Sequence, residues 1–158
     1  MPEDAPKIKI DNTRKLGAKV LLYDRYNESR EVIGENLQKK FGSVLIKPYD
    51  DPNVIAGQGT AGLEITEQAK DLGIDEADLL VCCGGGGLTS GIALACAENA
   101  KNFKVHPVEP AGFDDVARSL ISGKRETNDN NSSSLCDAIV TPSPGILTFP
   151  ILKEFCHP

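Results

Sequence analysis

A run of four glycines followed by leucine, Gly84–Leu88, is the stretch of this 158-residue sequence that most clearly predicts chemistry. The apolar residues before it predict a strand, and the small apolar residues after it predict a helix. Glycine is conformationally costly and allows close approach to its backbone, so four in succession indicate that something contacts the main chain. Free N–H groups and a partial positive charge make a helix N-terminus an anion site. The sequence therefore predicts a phosphate cradle, with a tight turn that binds nothing as the alternative.

The spacing of the glycines separates three kinds of phosphate loop. A nucleotide triphosphatase loop places a lysine after its last glycine, and no lysine follows Gly87. A dinucleotide fingerprint begun at either of the first two glycines would put Thr89 or Ser90 where the third glycine belongs. Glu109 stands where a ribose-binding acid belongs, so a dinucleotide stays an alternative. A single terminal phosphate held by main-chain N–H groups suits the run best. Pyridoxal phosphate carries such a group, although composition alone does not select it.

Three acids accompany the next predicted strand and helix. Glu109 ends the strand, and Asp114 and Asp115 open the helix. Acids in the first turn are stabilised by the helix dipole, which requires no ligand. Carboxylate and carbonyl oxygens are also the ligands of Mg²⁺ and Ca²⁺. The sequence leaves helix capping and cation binding open.

The other reactive side chains form no comparable pattern. The five cysteines lack the CxxC spacing of a zinc site. Their odd number and apolar surroundings predict reduced thiols in a cytoplasmic protein, and a catalytic cysteine is a weaker hypothesis. The two histidines, His106 and His157, are not spaced as metal ligands.

The composition is that of an ordinary globular protein, with 40% hydrophobic and 25% charged residues. The net charge of -6 argues against nucleic acid or an anionic membrane as a partner. No apolar run approaches the roughly 20 residues that cross a bilayer. The acidic opening residues do not resemble a signal peptide.

Hydrophobic periodicity predicts strands and helices in alternation along the chain. This order predicts an open parallel sheet covered by helices on both faces, with ligands at the carboxyl ends of the strands. The predicted helices are 7–16, 30–41 (capped by Ser29), 61–72, 88–100 and 113–121, with another near Leu147; the predicted strands are 18–23, 43–46, 79–83, 103–108 and 138–140; turns are predicted at 47–52 and 141–145, and a loop at 127–134.

Residues 84–91 resemble the tetraglycine phosphate loop of pyridoxal-phosphate enzymes of fold type II, which include serine/threonine dehydratases, serine racemase and the tryptophan synthase β chain. The Gly-Gln-Gly-Thr stretch at 57–60 points to the dehydratase and racemase branch, and the resemblance covers essentially the whole chain. The resemblance implies an α/β fold of open, mostly parallel, twisted sheets with helices on both faces, tryptophan synthase β-like and incomplete. Further similar stretches are 1–7, 15–18, 51–60, 108–110 and 143–145.

The resemblance also implies binding residues. The backbone N–H groups of Gly84, Gly85, Gly86, Gly87 and Leu88 would bind the phosphate of pyridoxal 5′-phosphate, with a possible contribution from the hydroxyl of Thr89. A structural Mg²⁺ or Ca²⁺ would be bound by Glu109, the carbonyl of Phe113 and Asp115. Ala138 stands where the family often has glycine after aspartate, a departure that weakens the likeness beside the cofactor ring.

A domain organisation and an activity follow from the same resemblance. Residues 1–70 would belong to the small domain, and residues 71–158 to the large domain that binds the cofactor phosphate. The parent reaction would be β-elimination from a small hydroxy-amino acid to an oxoacid and ammonia. The full-length enzyme would be a cytoplasmic homo-oligomer, a dimer or tetramer. A serine racemase, a non-catalytic truncated module and an NAD-binding Rossmann domain are the alternatives.

Two motifs of the family are missing from this sequence. The family's catalytic lysine stands in a Ser-Phe-Lys-type stretch, and its substrate-carboxylate loop is of Ser-x-Gly-Asn-His type; neither occurs here. We therefore expect a central portion of such an enzyme that is inactive alone. Exposed sheet edges would make it marginally stable as a separate molecule. The sequence does not distinguish threonine, serine and hydroxyaspartate as substrates.

Overall fold

The computed structural model describes residues 1–129 and 133–157. The chain divides into two compact units, Met1–Ile46 and a second unit that begins at Lys47. The loop predicted at 127–134 lies partly outside the described residues. The domain boundary predicted after residue 70 stays a prediction, because compactness does not tell to which domain of a longer enzyme a residue belongs. No helix in the described residues is long and apolar enough to cross a membrane.

The first unit contains two helices that the sequence predicts, α1 (Lys7–Lys15) and α2 (Arg30–Phe41). Ser29 begins α2 because its hydroxyl oxygen accepts the N–H of Val32 at 3.3 Å. Gly42 ends α2 in the left-handed conformation, with φ 65°. Glycine adopts this conformation without a steric penalty, so both ends of α2 follow from local sequence.

The strands predicted in the first unit, at 18–23 and 43–46, are wrong. Tyr23 forms an isolated parallel bridge with Pro2, and residues 43–46 have no strand structure. Their Val- and Leu-rich composition favours extended backbone, but a strand also needs a neighbour that completes its hydrogen-bond ladder. Beyond the single bridge, the described part of this unit provides no such neighbour.

The second unit is built around two parallel strands joined by a helix. Ala77 lies opposite Phe103 and Cys82 lies opposite Val108 in the strand register. Parallel strands connected through a helix form the predicted βαβ unit, so the α/β class is confirmed. The elements of this unit among the described residues are α3 (Pro52–Asp71), β1 (Ala77–Cys82), α4 (Gly87–Asn99), β2 (Phe103–Val108), α5 (Asp115–Ser122) and α6 (Thr148–Phe155).

Helix α3 begins at Pro52, well before the predicted start after Thr60, so the Gly-Gln-Gly-Thr stretch is helical. The cause is Asp51, whose carboxylate accepts the N–H of Asn53 at 2.9 Å and that of Val54 at 3.3 Å. This cap, and proline at the first helical position, outweigh the low helix propensity of the glycines. The turn predicted at 47–52 therefore ends one residue early.

The strand predicted at 138–140 is also wrong. The N–H of Ile139 donates to the carbonyl of Cys136 at 3.0 Å, which closes a turn. A backbone N–H used in a local turn is not available to a strand ladder. The apolar residues 138–140 therefore favour a strand in sequence but belong to an irregular segment in the structure.

Helix α4 is buried over most of its surface, as predicted, because α3 crosses it at very short range. A Cβ atom on Gly62 would lie 2.7 Å from Cβ of Ala95 and 2.9 Å from Cα of Ile92. A Cβ atom on Gly91 would lie 2.5 Å from the backbone nitrogen of Gly59. Gly62 of α3 and Gly91 of α4 thus serve helix packing, and this packing fixes the position of α4, whose N-terminus carries the glycine run.

The α3–α4 contact predicts opposite effects for two alanine substitutions. Gly62→Ala should destabilise the chain by about 1–3 kcal/mol, because the new methyl group overlaps the backbone of α4. Gly57→Ala, on the exposed face of the same helix with nothing within 4 Å of the new Cβ, should stabilise it by about 0.5–1 kcal/mol. Urea unfolding followed by circular dichroism measures both, and equal effects would contradict the packing argument.

Candidate phosphate-binding site

The glycine run forms the connection between β1 and α4, as the sequence predicts. Gly86 is the residue before the first turn of α4 and has φ 94°, which only glycine adopts readily. A Cβ atom on Gly86 would also lie 2.8 Å from Cδ1 of Leu152 in α6. Glycine is therefore required at this position by both backbone conformation and space.

The other three glycines are also crowded by protein neighbours. A Cβ atom on Gly85 would lie 2.3 Å from the ring of Tyr49, and one on Gly87 would lie 3.0 Å from Cβ of the same residue. A Cβ atom on Gly84 would lie 3.1 Å from Cα of Ile139. The close approach to the main chain predicted from the sequence is thus made in part by the protein itself, with Tyr49 against one side of the loop.

The N–H groups of the loop supply the feature that a ligand would use. Gly85, Gly86 and Gly87 are buried. The first N–H after the loop that has a backbone partner is that of Ser90, which donates to the carbonyl of Gly86 at 2.8 Å. Within the described part of the chain, the N–H groups of residues 84–88 have no acceptor. Buried N–H groups without partners are rare in folded proteins, so a row of them indicates an anion site.

The hydroxyl of Thr89, which the resemblance implies as a further donor to the phosphate, is bonded to β1. Thr89 is fully buried, and its hydroxyl donates to the carbonyl of Cys82 at 3.4 Å. The side chain therefore ties the first turn of α4 back to β1. In this arrangement the loop offers an anion its main-chain N–H groups and not this hydroxyl.

The sequence analysis missed three side chains beside the loop: Tyr49, Asp50 and Thr148. Thr148 donates its hydroxyl to the carbonyl of Gly85 at 2.6 Å, and Asp50 binds the start of α6. All three lie far from the glycines in sequence. The nearest available signals were the turn-rich segments before α3 and α6, which predict bends but not what those bends contact.

The acid cluster after β2 is arranged as a helix cap. Both carboxylate oxygens of Glu109 accept N–H groups at the start of α5, from Val116 at 3.0 Å and from Ala117 at 2.9 Å. Asp114 makes no capping bond and pairs with Arg118 at 3.1 Å. The side-chain capping bonds are therefore made by Glu109, while Asp115 lies in the first turn of α5, where the helix dipole favours an acid.

Asp115 is fully buried, and only one of its two carboxylate oxygens has a hydrogen-bond partner among the described residues. Its carboxylate accepts a hydrogen bond from the side-chain amide of Asn128. Its second oxygen, Oδ2, has no partner in the described residues. Burial raises the pKa of Asp115 to about 6 and that of Glu109 to about 7, although N–H donors favour the charged form of each. The two carboxyls are close enough for Asp115 to contribute to the raised pKa of Glu109.

The predicted metal ligands Glu109, Phe113 and Asp115 do not form a ligand cluster of side chains. No group of three or more His, Cys, Asp or Glu residues suited to a metal ion occurs in residues 1–129 and 133–157. The N–H of Phe113 closes a turn with the carbonyl of Pro110 at 3.0 Å. Among the described residues, Oδ2 of Asp115 and the hydroxyl oxygen of Thr141 are buried without a hydrogen-bond partner, and the charged carboxylate oxygen is the stronger ligand for a cation.

The cysteines and histidines do not add a reactive centre to this site. Burial raises the pKa of the Cys83 and Cys156 thiols to about 12, so neither is a thiolate at neutral pH. His106 lies 2.9 Å from the carboxylate of Asp78, and its ring is 5.8 Å from that of His157. The fold thus brings together two histidines whose spacing in sequence gave no indication of contact.

Comparison with known proteins adds the decisive observation. A family model described as pyridoxal-phosphate dependent enzyme matches residues 1–158. This chain belongs to that family. A serine racemase of Schizosaccharomyces pombe is 40% identical over 98% of this chain and 46% of its own length. An L-threo-3-hydroxyaspartate ammonia-lyase of Saccharomyces cerevisiae is 42% identical over 98% of this chain and 46% of its own length.

The likeness extends to solved structures. The crystal structure of a serine racemase from Dictyostelium discoideum matches with a TM-score of 0.81 and 37% identity, over 98% of this chain and 47% of that one. A crystal structure of a threonine deaminase matches with a TM-score of 0.88 and 41% identity, over 99% of this chain and 50% of that one. The predicted fold, that of pyridoxal-phosphate enzymes of fold type II, is thus confirmed for the part of it that this chain covers. This chain spans about half the length of the curated relatives that it matches.

The residues of this pyridoxal-phosphate enzyme chain fit the phosphate of that cofactor. A phosphate dianion needs several donors at short range, and buried N–H groups without acceptors at a helix N-terminus provide them. An apolar ligand would leave the same groups unsatisfied. The free donors of residues 84–88 therefore match the predicted set, while the contacts that they would make with the cofactor stay a prediction.

The two raised carboxyl pKa values predict an unusual pH dependence in the presence of EDTA. A carboxyl whose pKa is higher in the folded chain binds more protons there than in the unfolded chain, so stability falls as pH rises between the two values. The interval is from 4.5 to about 7 for Glu109 and from 3.8 to about 6 for Asp115. We expect thermal stability to increase from pH 7 to pH 5.

Glu109→Gln should reduce this increase, because the glutamine cannot take up the proton. Glu98→Gln removes an exposed carboxylate from α4 and serves as the matched control. Differential scanning calorimetry at pH 5, 6 and 7 measures the effect. A wild-type transition temperature that rises steadily toward pH 7 would contradict the sign of both shifts.

Proposed function

We propose that this chain is the phosphate-binding portion of a pyridoxal-phosphate ammonia-lyase that eliminates water from a small hydroxy-amino acid, giving an oxoacid and ammonia. The observation that carries the proposal is the row of acceptor-free, largely buried N–H groups at residues 84–88. The names of relatives support the substrate class, since they include ammonia-lyases for L-threo-3-hydroxyaspartate and L-threonine. Serine racemase is the second candidate, supported by the relative in Schizosaccharomyces pombe.

Bound pyridoxal phosphate supplies an electron sink that stabilises negative charge at the α-carbon of an amino acid. The residues of this chain would bind the cofactor through its phosphate group. The N–H groups of Gly84–Leu88 and the dipole of α4 would bind the phosphate dianion and keep its proton affinity low. A phosphate held at the end of β1 would limit where the rest of the cofactor can lie. This chain thus contributes orientation and electrostatics.

We propose that the lysine that transfers the proton is not among these 158 residues. The sequence contains no Ser-Phe-Lys stretch and no Ser-x-Gly-Asn-His loop. We therefore expect no turnover of L-threonine or L-serine by the 158-residue chain with pyridoxal phosphate alone. We also propose that the complete enzyme is a cytoplasmic homo-oligomer, a dimer or tetramer; the free state of all five cysteines is compatible with a reducing compartment.

Phosphate-dependent binding tests the proposed function. The 158-residue chain should bind pyridoxal 5′-phosphate at least about tenfold more tightly than pyridoxal, because only the former carries the group that the loop recognises. Gly86→Ala should abolish most of this preference, since an alanine at φ 94° forces the loop to rearrange and meets Leu152. Equilibrium dialysis with each compound gives the two dissociation constants.

Gly73→Ala is the matched control for this experiment. Gly73 also has a left-handed backbone, φ 70°, but nothing lies within 4 Å of a Cβ placed there and it is remote from the loop. Its alanine variant should keep the preference for the phosphorylated compound. Equal affinity of the wild-type chain for pyridoxal and its phosphate would refute the proposed function.

We propose in addition that Mg²⁺ or Ca²⁺ binds at Glu109, the carbonyl of Phe113 and Asp115. The unpartnered, buried Oδ2 of Asp115 supports this, because a cation would satisfy it and offset the cost of two buried carboxylates. Saturating cation should raise the transition temperature by roughly 5–10 °C. Asp115→Asn should remove the increase and Glu98→Gln should not. No stabilisation at millimolar Mg²⁺ or Ca²⁺ would leave Glu109 as a helix cap alone.

A further inference from the structure

The rear of the glycine loop, on the side of α6, is held through a single carbonyl group. The oxygen of Gly85 accepts the hydroxyl of Thr148 at 2.6 Å and the N–H of Gly145 at 3.1 Å. Thr148 is fully buried, and the bond it makes is shielded from water. Two donors on one carbonyl fix the plane of the peptide group that joins Gly85 to Gly86.

The orientation of this peptide decides where a ligand-binding N–H group points. In a planar trans peptide the C=O and the following N–H point in opposite directions. Because the carbonyl of Gly85 is directed at Thr148, the N–H of Gly86 is directed away from α6. Glycine has no side chain to limit its rotation, so without these two bonds the peptide would have many orientations of similar energy.

Thr148 is itself held in place by Asp50, far earlier in the chain. The Oδ1 atom of Asp50 accepts the N–H of Leu147 at 2.6 Å and that of Thr148 at 3.3 Å. Helix α6 has no side-chain cap from its own N-cap residue, so Asp50 supplies the missing acceptor. Asp50 adopts φ 55°, a left-handed conformation that costs free energy and is kept only where the surroundings favour it.

We propose that Thr148 is a positioning residue for phosphate binding: its hydroxyl aims the N–H of Gly86 at the phosphate, and Asp50 holds Thr148 in register with the loop. This inference rests on the proposed function, because it assigns a task to two residues behind the same loop. In this proposal neither residue contacts the phosphate itself. Their effect is transmitted through the Gly85–Gly86 peptide.

The test replaces the hydroxyl of Thr148 while keeping its shape. Thr148→Val should weaken binding of pyridoxal 5′-phosphate to the 158-residue chain about 5- to 10-fold, the range expected for one lost hydrogen bond. Binding of pyridoxal, which lacks the phosphate, should change less than about twofold. Thr148→Ser keeps the hydroxyl and should restore the wild-type preference. Equilibrium dialysis with both compounds provides the ratio of affinities for each variant.

A ligand-free measurement separates this inference from the proposed function. In chains labelled with ¹³C at the glycine carbonyls, loss of the two-donor environment should move the Gly85 resonance in Thr148→Val and not in Thr148→Ser. If the wild-type chain shows no preference for the phosphorylated compound, the proposed function fails. The carbonyl resonance then decides alone whether Thr148 orients the loop.

Three further variants show whether a loss of binding comes from a loss of folding. Ser90→Ala removes another buried hydroxyl at the same contact, one that donates to the carbonyl of Thr148 at 3.4 Å and not to the loop, and should keep the preference for phosphate. Asp50→Asn retains the Oδ1 acceptor and should resemble wild type, whereas Asp50→Ala should resemble Thr148→Val. An unchanged affinity ratio with an unmoved Gly85 resonance in Thr148→Val would overturn the inference. So would an equal loss of affinity for both compounds.

Discussion

The unmet hydrogen-bonding capacity of one buried backbone segment is the constraint on which the rest of the second unit depends. A polypeptide that buries N–H groups without acceptors incurs a free-energy cost for each, and folded chains avoid it. Here several such groups follow one another at residues 84–88, at the end of a strand and the start of a helix. An anion at the start of α4 would complete these bonds, which is why the loop defines the candidate site.

The remainder of the unit is organised to keep that segment from relaxing. On one side α3 lies against α4 so closely that glycine is needed at Gly62 and Gly91, which prevents α4 from shifting along its axis. On the other side the first turn of α6 lies against Gly86, and Thr148 bonds to the loop. Tyr49 contacts the loop from a third direction. A loop of four glycines has little stiffness of its own, so its conformation is set by these neighbours.

Several element bounds can be predicted from short-range chemistry, but some local signals are ambiguous in sequence and contacts between distant residues are not visible there. The caps of α2, the end of α5 at Gly123 and the bounds of β2 follow from short-range chemistry. The glycines at 57–60 favour a break in sequence, but the Asp51 cap starts α3 before them, and Gly59 packs against Gly91 of α4. Asp50 and Thr148 could not be found this way, since they meet the loop only after the chain has folded.

The two strands of the sheet end in environments of opposite electrostatic character. After β1 the chain presents unpaired N–H groups, and after β2 it presents Glu109, whose carboxylate is drawn to the start of α5. Both ends lie at the same edge, since the strands are parallel. An acid free to move would compete with a phosphate for the loop's N–H groups. Among the described residues, both oxygens of Glu109 accept N–H groups of α5 and neither accepts one from the loop, so this acid is used in capping α5.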